Sequence, residues 1–321
     1  MFKSSLLNKT PLLRFPVTIA AAILLITNFI GCDNSVSDLE KQELTAAKRF
    51  GSWAPAVSID PVGVNNVNTL SNEGCPSETV DGKSLFLASN RDGQLDIWVT
   101  HRSNPSSAWQ EPEKLTVNST FNDFCPTPLP GGGLLFVSTR PGGCGEGTAD
   151  IYQTQFHPTQ GWSDPEHLGC GINSSGNEFS PSYVSAGGGM LYFSSDREGG
   201  PGFDKIYVSM RQTDGSWGEP VEVTELNYPG FSTARPTVSK DGQIIVFDSN
   251  RPGGLGNPDI WASERTSILD TWSEPVNLGS NVNSASGETR PALSRDGKRL
   301  YFGSPRSGGI GMSDIYVSIS E

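Results

Sequence analysis

One string recurs five times along the chain, and its spacing restricts the fold more than any other property of the sequence. The copies are SNRDGQLDIW, STRPGGCGEGTADIY, SSDREGGPGFDKIY, SNRPGGLGNPDIW and SPRSGGIGMSDIY: an Arg corner, glycines, then an Asp, an Ile and an aromatic residue. Their isoleucines are Ile97, Ile151, Ile206, Ile260 and Ile315, 54 or 55 residues apart. A fixed period of this length means one supersecondary unit stacked on copies of itself. Each unit opens on a proline (Pro76, Pro126, Pro181, Pro236, Pro291), and the first four close on a Trp-x-x-Pro segment built on Trp109, Trp162, Trp217 and Trp272.

Within a unit, Asp81-Gly82, Asp241-Gly242 and Asp296-Gly297 supply the positive-φ positions of a tight hairpin. The runs that follow, such as Ile244-Ile245-Val246-Phe247, are β-branched and aromatic, and no segment of the repeats sustains a helical period. Four short strands per unit and five units predict an all-β chain, a five-bladed β-propeller of four-stranded antiparallel blades over residues 51–321. The fifth unit stops without its Trp-x-x-Pro strand, while Trp53-Ala54-Pro55-Ala56-Val57 precedes the first unit. The N-terminal strand is therefore expected to complete the last blade and cover an open sheet edge.

Ahead of the repeats, residues 1–31 carry Lys3, Lys9 and Arg14, no acid, and an apolar run from Val17 to Ile30 ending in Gly31-Cys32. The run is shorter than the roughly 20 residues a membrane-spanning helix needs, so it reads as a signal peptide. Its end resembles a bacterial lipobox, which implies lipidation at Cys32 and a tether over residues 32–50. Removing the segment takes away three positive charges and moves the net charge from −12 to −15. Nucleic acid is disfavoured by that field, and no Lys/Arg cluster interrupts it. Four cysteines remain, an even number for an oxidising compartment, and the expected pairs are Cys144 with Cys170 and Cys75 with Cys125. Their spacings and the scattered His101, His157 and His167 do not form a zinc pattern, so neither metal nor cofactor is expected.

The segments PALSRDGKRLYFGSPRSGG, PTVSKDGQIIVFDSNRPGG and PSETVDGKSLFLASNRDG resemble the WD40-like β-propeller repeat of TolB-like periplasmic propellers. The resemblance covers roughly residues 70–321. Units two and three depart from it with Gly131-Gly132-Gly133 and Gly187-Gly188-Gly189 in place of Asp-Gly. Such propellers serve as docking modules, as partners of envelope proteins and sometimes as enzymes, so the motif implies a fold and leaves the activity open.

The corner Arg and following Asp recur in all units (Arg91 and Asp96, Arg140 and Asp150, Arg197 and Asp204, Arg251 and Asp259, Arg306 and Asp314), which predicts a structural pair or backbone caps. Three residues before each repeat proline stand Glu73, Asp123, Glu178, Thr233 and Glu288. The four acids are expected at the entry of the innermost strands, either hydrogen-bonded to a neighbouring blade's backbone or as a ring at the channel mouth open to a cation, an amine or a glycan. Arg235 and Arg290 break the symmetry of that ring and join the candidate ligand residues.

Two function classes follow. One is a non-catalytic binding or scaffolding module of the cell envelope, a monomeric propeller on a lipid anchor that offers its Gly-rich face to a protein, peptide or glycan. The other is a carbohydrate-active enzyme in which two of the four acids act as acid and base, about 5 to 9.5 Å apart. A serine hydrolase is excluded by the lack of G-x-S-x-G.

Overall fold

A computed structural model describes residues 50–60, 63–200 and 202–320. The signal segment, Cys32 and all but the last residue of the tether lie outside the described residues.

The described residues form five antiparallel sheets. Blade one consists of Glu73–Glu78, Ser84–Ser89, Asp96–His101 and Glu113–Lys114 from the axis outward. Blade two has Asp123–Pro128, Gly133–Ser138, Asp150–His157 and Glu166–His167, with Gly161–Trp162 also paired to its third strand. Blade three runs Glu178–Val184, Met190–Ser195, Lys205–Met210 and Val221–Glu222; blade four runs Thr233–Val238, Ile244–Ser249, Asp259–Glu264 and Val276–Asn277. Blade five has Thr289–Leu293, Arg299–Ser304 and Asp314–Ile319, and takes its outer strand from Val57–Ser58 at the other end of the chain. Each innermost strand packs against the innermost strands on both sides, and blade five meets blade one, so the ring is closed.

The closing strand pairs Val57 with Val317 and Ser58 with Tyr316, and Trp53 bridges to Ser320. Trp53 is buried among Val246, Leu300 and Phe302, between blades four and five. Of the four Trp-x-x-Pro tryptophans, three lie against the face of the preceding blade, Trp109 beside Tyr301, Trp162 beside Phe86 and Trp272 beside Tyr192, while Trp217 meets Tyr183 of its own blade. Propeller blades cannot bury both faces alone, and these rings supply much of the apolar area between neighbours.

The hairpins differ from the expected tight turn. Only the glycine takes positive φ (Gly82 +68°, Gly242 +74°, Gly297 +71°), closing a four-residue turn such as Thr79–Gly82, whose Gly82 N–H donates to the Thr79 carbonyl at 2.9 Å. Asp81 instead caps the turn, its Oδ1 accepting the Thr79 hydroxyl at 2.7 Å and the Lys83 amide at 3.1 Å.

Candidate functional site

The acids expected at the channel mouth are buried within the ring. Glu73, Asp123, Glu178 and Glu288 are at most 1% exposed, and their oxygens are engaged by a repeating set of donors. Glu288 accepts the Ser284 amide and hydroxyl at 2.9 and 2.6 Å, the Ser304 hydroxyl at 2.9 Å and the Arg306 guanidinium at 2.9 Å. Glu178 repeats this with Ser174, Ser195 and Arg197, and Glu73 with Thr69, Ser89 and Arg91. Asp123, one methylene shorter, takes the Ser119 amide and hydroxyl and Arg140 at 2.7 Å. Each carboxylate thus ties the incoming loop to its own blade's corner. Burial raises the carboxyl pKa of Glu178 above its usual range, outweighing the hydrogen bonds from Ser174 and Ser195.

Of the two roles expected for the corner Arg and Asp, a mutual pair or backbone caps, the geometry shows caps for the Asp and a different ionic partner for the Arg. The Arg belongs to the entry acid of its own blade in four blades. The Asp instead caps the corner: Asp259 accepts the Leu255 and Gly256 amides, Asp314 those of Ile310 and Gly311, and Asp150 that of Cys144. Asp204 is out of register with its supposed equivalents, because Lys205 pairs with Ser195 where other blades place Asp. Lys205 meets Glu222 at 2.9 Å, a charge-swapped version of the Asp96–Lys114 pair of blade one at 2.6 Å.

Blade four has neither the acid nor the hydroxyl cap, and its Arg251 is correspondingly different. The guanidinium reaches Thr233 at 3.2 Å and lies over Phe247, Trp261 and Tyr228, 5.1 to 5.7 Å from the ring centroids. Burial pushes its pKa down to about 10; the corner Arg residues of the other blades also stack on their strand aromatics, and Tyr228 is the contact blade four adds.

A second repeated feature points toward the axis. Cys75, Cys125, Ser180, Arg235 and Arg290 all have φ between +47° and +56°, each at the register shift of an innermost strand and each followed by proline. Non-glycine residues rarely take this conformation, so the bulge is a shared device of the blades rather than a local accident. It turns these five side chains, not the acids, toward the middle. The structure joins Cys75 to Cys125 across the first two blades, and the Ser180 hydroxyl lies 3.2 Å from the Cys125 sulfur. Arg235 grips Asp248 through Nε at 2.7 Å and Nη2 at 2.5 Å, and Asp248 also accepts the Arg290 amide at 2.8 Å. Burial, then the like charge of Arg235, pushes Arg290 down to about 10. What remains open on the axis is a cavity of about 50 Å³.

The second disulfide joins Cys144 of the blade-two corner to Cys170. The fold also brings His167 to 3.1 Å from Asp150 and 3.8 Å from the Cys144 sulfur, a grouping the sequence spacing does not show. The Cys144 sulfur is bonded to Cys170, and His167 occupies the place of Lys114 in blade one and Asn277 in blade four. It serves as blade two's partner for the corner Asp.

Sequence reading missed the residues that hold each repeated Ile. Asn118 accepts the Ile97 amide at 2.8 Å and donates to its carbonyl at 2.9 Å; Asn173, Asn227 and Asn283 do the same for Ile151, Ile206 and Ile260. The signal was available: an aliphatic residue followed by Asn, as in Val117-Asn118-Ser119 and Val282-Asn283-Ser284, precedes every unit.

On the Gly-rich face, the exposed large apolar side chains include Leu70, Phe121, Phe203, Tyr228, Phe231 and Met312. On the opposite face, a cleft of about 940 Å³ opens between blades one and two beside Phe86, Phe156 and Trp162.

No protein-family model matches the chain, and no curated protein matches it. Among solved structures it is similar to a thermostable family-43 glycoside hydrolase, at 14% identity over 79% of this chain and 90% of that one with a TM-score of 0.55. It is also similar to an α-L-arabinofuranosidase from Lactobacillus brevis, at 12% identity over 78% of this chain and 90% of that one with a TM-score of 0.54. TolB from Acinetobacter baumannii matches at 20% identity and a TM-score of 0.46, over 78% of this chain. The chain spans 55% of the length of that TolB. At these identities the likeness is one of fold: the chain is an all-β, five-bladed propeller.

Proposed function

We propose that the chain is a non-catalytic binding and scaffolding module of a bacterial cell envelope, anchored by a lipid on Cys32, which docks a protein on its Gly-rich face. The observation that carries the non-catalytic reading is the state of the inner-strand acids. Glycoside hydrolysis needs one carboxyl to donate a proton and another to attack or activate water across an open pocket. Here all four are buried and bound to hydroxyls, amides and an Arg of their own blade, and the axis they would face is closed by Cys75–Cys125 and Arg235–Asp248.

The docking reading rests on the apolar side chains set around the Gly-rich rim, among them the Tyr228–Phe231 edge contact and the neighbouring Leu70 and Met312 loops. Exposed apolar groups held on a rigid ring suit a protein interface. The envelope location rests on the charged start, the apolar run and Gly31-Cys32.

The test has two arms. Purified protein is incubated with arabino-, xylo- and fructo-oligosaccharides, and no hydrolysis is expected; turnover abolished by Glu178→Gln with Glu288→Gln overturns the reading in favour of the hydrolase. In cells, the Leu70→Ser, Tyr228→Ser, Phe231→Ser variant is expected to lose the cross-linked species formed by the wild type while keeping its melting temperature. Unchanged cross-linking removes the docking face.

A further inference from the structure

Three blades protect their seam Trp in the same way. Arg102, Arg211 and Arg265 follow the third strands of blades one, three and four, each donating its amide to a carbonyl of the preceding hairpin at 2.9 Å. Each guanidinium lies over the Trp of its own blade: Arg102 on Trp109 at 3.9 Å, Arg211 on Trp217 at 5.0 Å, Arg265 on Trp272 at 4.1 Å. Stacked Arg covers the ring and seals the seam.

Blade two has Phe156 at this position, identified by the same bond, its amide to the Gly132 carbonyl at 3.0 Å. Phe156 meets Trp162 edge-on at 5.3 Å and stays 44% exposed. Blade five has Ser320 there. Open space lies beside both of these unlidded Trp, about 300 Å³ next to Trp53 and about 940 Å³ next to Trp162. The larger cleft lies where the repeat position of Arg102, Arg211 and Arg265 holds Phe156.

The walls of that cleft define what fits. One side is aromatic and aliphatic, formed by Phe86, Leu129, Phe156 and Trp162. The other carries Ser84, His101, Glu113 and Thr116, with the Ser84 hydroxyl 2.9 Å from His101 Nδ1. Its ionic groups balance, Asp81 and Glu113 against Lys114 and Arg295, in a chain of net charge −12. A charged ligand finds no net field there. The blade-two hairpin offers an extended peptide no ladder, because the carbonyls of Gly131, Gly132 and Gly133 are already taken by Gln155, Phe156 and Leu129. A ligand with flat apolar faces, a rim of hydroxyls and no charge matches both walls.

We propose that the cleft between blades one and two binds a neutral oligosaccharide, with sugar C–H faces against Phe156 and Trp162 and ring hydroxyls bonded to His101, Glu113 and Thr116. This site lies on the face opposite the docking rim and stands whether or not that rim binds a protein.

The test uses the full chain and a panel of neutral hexasaccharides (arabinan, xylan, mannan and β-glucan types), with calorimetry and tryptophan fluorescence as readouts. Phe156→Arg installs the lid of the sister blades and is expected to weaken binding at least tenfold with an unchanged melting temperature. Thr116→Val, which leaves the aromatic wall intact, is expected to weaken binding severalfold. The proposal is overturned if no panel member binds, if Phe156→Arg binds as tightly as wild type, or if neutral or charged peptides of similar size bind in preference. Loss of binding in Leu70→Ser, Tyr228→Ser, Phe231→Ser protein would also overturn it, since those residues lie on the other face.

Discussion

Asn68 holds Ile315 from 247 residues away: its Oδ1 accepts the Ile315 amide at 2.8 Å and its Nδ2 donates to the Ile315 carbonyl at 3.1 Å. Within the first four blades the same clamp is formed by an Asn 21 to 23 residues downstream of its Ile. The N-terminal segment thus supplies blade five with both an outer strand and the clamp. Asn68→Ala leaves the buried Ile315 amide without a partner, at about 1 to 3 kcal/mol, while the Ile315 carbonyl keeps the Ile59 amide at 3.2 Å. A loss of about 1 to 3 kcal/mol in urea unfolding is expected; no measurable change would show that the strand alone closes the ring.

Among the described residues, Arg140 is the one cation on the Asp123 carboxylate, which has no exposed surface. Arg140→Ala strands that charge and is expected to cost about 3 to 5 kcal/mol. Adding Asp123→Asn removes the stranded charge and is expected to recover most of the loss, so thermal unfolding of the single and double variants measures the coupling.

Glu178 gives stability a pH signature. Its folded carboxyl pKa lies above its ordinary value, so between the two the folded state holds more protons than the unfolded chain, and this group's stability contribution falls as pH rises. The contribution is fully present below about pH 4.5 and is lost as pH passes the folded value. Subtracting the Glu178→Gln stability curve from that of the wild type is expected to isolate this falling segment. A difference curve that rises with pH contradicts the burial-dominated assignment.

Cys144–Cys170 closes a separation of 26 residues. Replacing both with serine is expected to lower stability by about 3 to 4 kcal/mol through the freed unfolded chain. The Asp150 cap on the Cys144 amide should survive in that variant, because it uses backbone and not sulfur. Unfolding midpoints of the paired variant check the first point, and hydrogen exchange at the corner checks the second.

The period, the blade number and the closing strand were legible because each is written in spacing along the chain. Which way a side chain faces was not. The entry acids stand two residues before a positive-φ bulge residue, and the bulge breaks the two-residue alternation from which an inward ring was expected. Glu73 consequently sits inside the blade while Cys75 points to the axis. Asp204 was misaligned because the repeated string treated Asp-Lys-Ile-Tyr as Asp-Ile-Tyr, and only the pairing of Lys205 with Ser195 exposes the offset. The cleft was hidden for another reason. Phe156 becomes the counterpart of Arg102 only through their shared backbone bond, since the intervening loops differ.

Closure by pairing rather than by chain continuity also makes the order of the blades negotiable. Trp53 and Ser320 are bridge partners, so a short linker can join these two positions while a new break is made in the loop between Glu222 and Thr233. In such a circular permutant every strand of blade five belongs to one uninterrupted segment, and the seam moves to the boundary of blades three and four. The natural seam is then a property of where the gene is cut, and the ring itself has no beginning.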